Sequence, residues 1–215
     1  MGAYTRRVPG RFITLEGPEG SGKTLMAARL AGALRERGHQ VRLTREPGGT
    51  ALGERLRAIV LAGDSGRGAP IDTRTDALLF NAARAQLVAE VIGPALAAGE
   101  IVICARFADS TLAYQGFGAG LPLDELRSVA KLATAGLSPD LTILLDVAPE
   151  VGLARKTDDA HNRFESDFDL EFHHRVRTGF LELARQEPGR WRVIDAGRPA
   201  DDVAAEVLEA ALALR

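Results

Sequence analysis

GPEGSGKT, from Gly17 to Thr24, meets the pattern G-x-x-x-x-G-K-[ST] at every fixed position; an apolar run (FITLE, Phe12 to Glu16) precedes it and a helical pattern follows. Gly20 and Gly22 let the backbone turn its N–H groups inward around phosphate oxygens, and the helix beginning near Lys23 adds its positive end. In this pattern Lys23 reaches the β- and γ-phosphates and the Thr24 hydroxyl is offered to Mg²⁺. Gly17, Pro18, Glu19, Gly20, Ser21, Gly22, Lys23 and Thr24 are therefore the candidate ATP site, with Thr24 the candidate metal ligand. A ligand-free glycine-rich turn is the bland alternative, and the strand-to-helix context argues against it.

Four arginines call for a second anion. Arg45 in TREPGGT and Arg106 after IVICA stand at strand ends, while Arg57 and Arg84 sit on the helical patterns between them. A single arginine is usually a solvated surface charge. Their coincidence around the strand ends suggests a second phosphate-bearing substrate facing the first, because guanidinium groups match phosphate oxygens bidentately. The pair His173-His174 invites a metal reading, but neighbours on a helix point about 100° apart, and two partly exposed histidines are expected instead. Asp146, ending LTILLD, is read as structural, and Cys104 as a small core residue.

The elements that must position these residues alternate. FITLE, VRLTRE, IVICA, LTILLDV and WRVID read as strands, and KTLMAARLAGALRERG, TALGERLRAIVLAG and TDALLFNAARAQLVAEVIGPALAAG as helices. GDSGRGAPID is a glycine-rich connection between the second and third helical patterns. The expected architecture is a three-layer α/β domain, a five-stranded parallel sheet flanked by helices, with ligands at the carboxyl ends of the strands. Residues 1–10 read as a flexible tail and residues 11–215 as one domain. RKTDDAHNRFESDFD carries charge without an apolar period and reads as a short lid at about residues 156–165. After it, Phe168, Phe172, Val176 and Phe180 recur every four residues, a core stripe on one helix face.

A net charge of −2 over 215 residues demands neither nucleic acid nor an anionic membrane as partner. One cysteine allows no internal disulfide, the start MGAYTRRVPG lacks the apolar stretch of a signal peptide, and no apolar run approaches the ~20 residues of a membrane span. A cytoplasmic protein is expected.

Together, GPEGSGKT, REPGGT, LLFNAARAQLV, RFADSTLAYQG and PDLTILLDVAPEVGL resemble the thymidylate kinase family, segment by segment and in its order, from Phe12 to the C-terminal helix. The resemblance implies a P-loop kinase fold, Mg²⁺-dependent phosphoryl transfer from ATP to dTMP, and a homodimer. It implies that Phe80 stacks on thymine, that Arg84 reads the base edge, and that Thr111 and Gln115 make polar contacts to the base. Tyr114 would crowd a ribose 2′-hydroxyl; Arg45, Arg57 and Arg106 would hold the monophosphate, with Glu46 beside them; Glu19 would lie near the sugar 3′-hydroxyl. Gly20 stands where one subgroup of the family has an arginine, so Arg155 and Arg163, in the lid, become candidates for the transition-state cation. Lys23, Arg106, Arg163, Arg155 and Glu19 make up the implied catalytic set. Leu25 and Met26 depart from the family where a Thr-Gln pair is frequent. Ala105 is the larger departure, standing where the family has an aspartate that helps position Mg²⁺. It motivates two expectations: a slowed kinase, or a catalytically impaired nucleotide-binding regulator on the same fold.

Overall fold

In the computed structural model, residues 10–62, 70–155 and 168–214 are described. The five apolar runs form β1 (Arg11–Glu16), β2 (Val41–Arg45), β3 (Ile101–Ala105), β4 (Leu141–Asp146) and β5 (Trp191–Asp195). All pairings are parallel, in the order β2-β3-β1-β4-β5. The inner strands β1, β3 and β4 are buried almost throughout, which their unbroken apolar sequences anticipate, whereas most positions of the edge strands β2 and β5 are exposed.

Helices cover both faces. On one, α1 (Lys23–Glu36) and α9 (Ala200–Leu212) bring Met26, Leu30, Leu34, Val203 and Val207 onto Ile13, Leu15, Ile103 and Ile143. On the other, α3 (Thr73–Leu87) and α4 (Gly93–Ala97) pack near Phe12, Val102 and Phe107, while α6 (Leu123–Ala133) and α8 (Leu170–Gln186) pack near Leu144 and Trp191. The remaining helices, α2 (Ala51–Ala62), α5 (Ala108–Thr111) and α7 (Pro149–Ala154), border the carboxyl ends of the strands. Asp72 caps α3 by accepting from the Arg74 amide at 3.0 Å, and Asp169 caps α8 by accepting from the Phe172 amide at 2.7 Å. The third helical pattern is not one α-helix. A π-helical turn, Val88–Ile92, joins α3 to α4 just ahead of Pro94, whose missing N–H and ring prevent an uninterrupted α-helical ladder.

The aromatic stripe is core as expected: Phe172, Val176 and Phe180 are buried, and Phe168 stacks on Phe172 with centroids 4.1 Å apart. One expectation is corrected. The two histidines are not alike, because His173 follows Phe172 and precedes Val176 by one turn on the inward face of α8, leaving it 1% exposed. His174 is exposed and pairs with Glu150 at 2.9 Å. Among the described residues no cluster of three or more His, Cys, Asp or Glu side chains could hold a metal, and no helix is long and apolar enough to cross a membrane. The expected tail, except Gly10, the connection through residues 63–69, and the lid at 156–165 with Arg163 lie outside the described residues.

Candidate active site

The loop between β1 and α1 is shaped for an anion. Gly22 opens α1 in a left-handed conformation, and no side chain caps the helix, so its first amides face the cavity without a protein acceptor of that kind. Lys23 folds over the loop, donating to the carbonyls of Gly17 at 2.9 Å and Pro18 at 2.6 Å and to Ser21 Oγ at 3.1 Å. Thr24 is exposed to the cavity. Gly20 explains why this loop carries no arginine there. Its φ is +67°, and a Cβ would meet the Gly152 carbonyl oxygen at 1.8 Å. Reciprocally, a Cβ on Gly152 of α7 would meet the Glu19 carbonyl oxygen at 2.2 Å, so loop and helix touch backbone to backbone through two glycines.

Across the cavity, β2 and β3 end in register, Arg45 beside Ala105, and deliver the expected cations to one place. Arg106 has φ +70°, a conformation rare for a residue with a side chain, held by its amide donating to the Leu15 carbonyl at 2.9 Å. Its guanidinium pairs with Glu19 and donates to Tyr114 Oη at 3.2 Å, and Tyr114 in turn donates to Glu19 at 2.9 Å. Burial alone would weaken Arg106 as a cation, yet Glu19, Tyr114 and Glu16 together strengthen its hold on the proton. Burial pushes the Tyr114 phenol well up, so it is neutral. Arg57 donates to the Pro47 carbonyl at 2.9 Å, and burial with neighbouring Arg45 lowers its pKa. Converging like charges of this sort suit an anionic ligand. Arg45 meanwhile pairs with Glu54 at 3.1 Å.

Deeper in the cavity, Arg84 is 1% exposed and largely engaged by protein. It pairs with Glu46 at 2.7 Å and donates to Asn81 Oδ1 at 2.7 Å, to the Phe107 carbonyl at 3.1 Å and to Thr111 Oγ1 at 3.1 Å. Thr111 is thus tied to Arg84, and Gln115 donates to Asp76 at 3.0 Å. Tyr114 and Gln115 belong to a π-helical turn, Leu112–Gly118, whose wider winding keeps consecutive side chains closer in angle than an α-helix does. Both face the cavity with half-buried Phe80. Arg155 reaches the same cavity and donates to the Ala196 carbonyl at 2.9 Å.

Ala105 lines the cavity with its methyl group, 6% exposed. Asp109 does not stand in for a carboxylate there, because both its oxygens are held by Arg190, at 2.7 and 3.1 Å, beside a separate groove. Two residues that sequence reading left without a role do meet this region. Ser110 faces the cavity and donates to buried Glu16 at 2.6 Å, and Glu16 also accepts from the Phe107 amide at 2.7 Å. The signal for Glu16 was an acid ending an apolar strand destined for the sheet centre. Pro47, Leu25 and Leu61 complete the apolar lining.

Of the site residues read from the sequence, one cavity of about 410 Å³ is lined by Glu19, Gly20, Gly22, Lys23, Thr24, Arg45, Glu46, Arg57, Phe80, Arg84, Arg106, Thr111, Tyr114, Gln115 and Arg155. Gly17, Pro18 and Ser21 lie behind it, bonded to Lys23. Fold and site define a P-loop kinase. The profile of the family described as Thymidylate kinase matches residues 15–207. A thymidylate kinase of Deinococcus radiodurans is 52% identical over 198 residues, covering 92% of this chain and 94% of its own. One from a Synechococcus species is 53% identical over 196 residues, covering 91% and 92%. A solved thymidylate kinase structure from Ehrlichia chaffeensis is similar with a TM-score of 0.75 and 35% identity, covering 94% of this chain and 98% of that one. The chain belongs to the thymidylate kinase family.

Proposed function

We propose that the protein is an ATP:dTMP phosphotransferase, moving the γ-phosphoryl group of ATP to dTMP to give dTDP. The observation that carries this is the junction of the phosphate loop and the arginine-lined wall in one cavity, in a chain about half identical to thymidylate kinases. The acceptor is a phosphate monoester with a second pKa near 6, already largely a dianion at neutral pH, so no general base is required. What the protein must supply is positioning and charge neutralisation. Lys23 exchanges its loop carbonyls for phosphate oxygens; Arg45, Arg57 and Arg106 hold the acceptor phosphate; Phe80, Arg84, Thr111 and Gln115 enclose the base; Tyr114 and Glu19 border the sugar. Arg155, and Arg163 outside the described residues, are the candidates to meet transition-state charge.

The Thr24 hydroxyl, open to the cavity, suits Mg²⁺ carried in on nucleotide phosphates, a cation that keeps most of its ligands as water and phosphate. When bound it neutralises charge on the β- and γ-phosphate oxygens. Large apolar side chains exposed on α2, α3 and α6 support a homodimer. No observation favours a purely regulatory protein. The direct test is to mix protein, ATP, Mg²⁺ and dTMP and follow dTDP by chromatography. Absence of dTDP at millimolar substrates removes the reading.

A further inference from the structure

Glu16 ends β1 with its carboxylate fully enclosed. One oxygen accepts from the Phe107 amide at 2.7 Å and the other from the Ser110 hydroxyl at 2.6 Å. Ser110 stands on the cavity wall, and its oxygen accepts from Arg106 Nη1 at 3.2 Å. A serine hydroxyl has one proton and two lone pairs. Here the proton points inward at Glu16 and one lone pair is taken by Arg106, so Ser110 offers an anion in the cavity no donor while Glu16 is ionised.

A proton on Glu16 reverses the arrangement. Oε1 already faces the Phe107 N–H, so the proton goes to Oε2 and from there is donated to Ser110 Oγ. Ser110 then accepts from Glu16 and Arg106 together, and its own proton is released toward the cavity. We propose that Glu16 is a proton-dependent positioning residue for the acceptor phosphate: binding of dTMP draws a proton from solvent onto Glu16 and turns the Ser110 hydroxyl from Glu16 to a phosphate oxygen beside Arg106. This rests on dTMP being the acceptor.

The surroundings support the switch. Burial first, and the neighbouring Asp109 carboxylate second, push Glu16 from 4.5 up to about 7, against the bonds from Ser110 and Phe107 and the charge of Arg106. Asp109 is itself neutralised in part by Arg190. Cys104 of β3 adds no charge, because burial and the Glu46 and Glu16 carboxylates hold it as a thiol. Arg106, which pairs with Glu19, is the cation that opposes Glu16's rise; drawing it toward a phosphate dianion weakens its pull on Glu16 and favours the proton further.

The test is calorimetric titration of the full-length protein with dTMP from pH 7 to 8.5, in paired buffers of different ionisation enthalpy. Above pH 7.5 the phosphate, with its second pKa near 6, contributes almost no proton of its own. The wild type is expected to take up a fraction of a proton per dTMP, and its Kd to rise with pH toward the limit of about tenfold per pH unit set by one linked proton. Glu16→Gln can accept from Phe107 and donate to Ser110, so it should bind dTMP as tightly at pH 8.5 as at pH 7, with no uptake. Ser110→Ala should show no uptake and bind about tenfold more weakly at pH 7. Equal uptake in wild type and either variant overturns the proposal. So does a Glu16→Gln protein, folded by near-ultraviolet circular dichroism, that binds weakly at both pH values, since that marks a purely structural strut. Should Glu16→Gln not fold, wild type and Ser110→Ala decide the matter alone. A wild type that binds no dTMP overturns the acceptor reading, and this proposal with it.

Discussion

The methyl group of Ala105 occupies a wall of the cavity where the sequence resemblance leads one to expect a carboxylate, between Arg45 on the neighbouring strand and the left-handed Arg106. A small residue leaves the surrounding site intact, so binding should survive its presence while charge placement suffers. Electrostatic groups of this kind are worth on the order of 10² to 10³ in rate. Ala105→Asp is accordingly expected to raise kcat by about that factor and to change either KM much less, measured by a coupled assay at saturating Mg²⁺. Unchanged turnover would place the metal away from β3, and Asp109, bound to Arg190, is not positioned to account for it. The second acid at this strand end makes a prediction about stability. Glu16 is raised from 4.5 to about 7 chiefly by burial, so the native state binds more protons than the unfolded state between those values. Its contribution is therefore lost as pH rises through that window, at up to ~1.4 kcal/mol per pH unit. Glu16→Gln, which carries no such penalty, should melt several degrees above wild type at pH 8 and close to it at pH 5. A variant less stable than wild type at pH 8 would mean that the carboxylate's bonds to Phe107 and Ser110 outweigh its burial.

At the scale of elements, the least expected contact is between the phosphate loop and α7, where Gly20 and Gly152 bring two backbones together with no room for a Cβ. In a helix Ala is favoured over Gly by up to ~1 kcal/mol, so Gly152→Ala would be harmless or stabilising on propensity alone. The added Cβ would meet the Glu19 carbonyl oxygen at 2.2 Å, which decides otherwise. The variant should weaken ATP binding by about tenfold or more and dTMP binding less, because the displaced Glu19–Gly20 segment belongs to the phosphate cradle. Gly32→Ala on α1, with nothing within 4 Å of the added Cβ, is the neutral control. Calorimetric affinities for each nucleotide would show it, and an unaltered ATP affinity would mean that α7 yields. This contact also marks the boundary of what the sequence discloses. The strands were legible because burial on both faces leaves unbroken apolar runs, and the phosphate loop because its fixed residues are adjacent in the chain. Such proximity is missing for Gly20 and Gly152, or for Glu16 and Ser110, which lie far apart in sequence and meet only when the sheet closes. The burial of His173 is hidden from the sequence for a related reason: one residue's shift on a helix decides burial, and only the packed partner reveals which neighbour faces inward. The π-helical turn carrying Tyr114 and Gln115 has no composition signal of its own.

Over the whole molecule, 29 acidic residues outnumber 27 basic ones, yet Lys23, Arg45, Arg57, Arg84, Arg106 and Arg155 all line one cavity. Charge is sorted by place, so two anionic substrates are drawn to a protein of slight negative charge, and their association should slow with ionic strength. A second whole-molecule asymmetry lies on the outer helices. Leu52 and Ile59 on α2, Leu78 on α3 and Leu132 on α6 are 44%, 45%, 57% and 84% exposed. Since α3 packs against both α2 and α6, these side chains lie on a connected set of helices. A lone exposed leucine is ordinary, whereas several on adjoining helices form a surface that suits the proposed homodimer. Fully burying each is worth about 1.5–3 kcal/mol, so pairing the same surface on two copies could supply much of what a symmetric dimer needs. The double variant Leu78→Glu with Leu132→Glu is expected to sediment as a monomer at micromolar concentration while the wild type sediments as a dimer. Because neither side chain lines the cavity, dTMP and ATP affinities measured above the dimer dissociation constant should be nearly unchanged in whatever fraction remains associated. A wild type that sediments as a monomer at tens of micromolar, or a variant that remains a dimer, would locate any association on a different face.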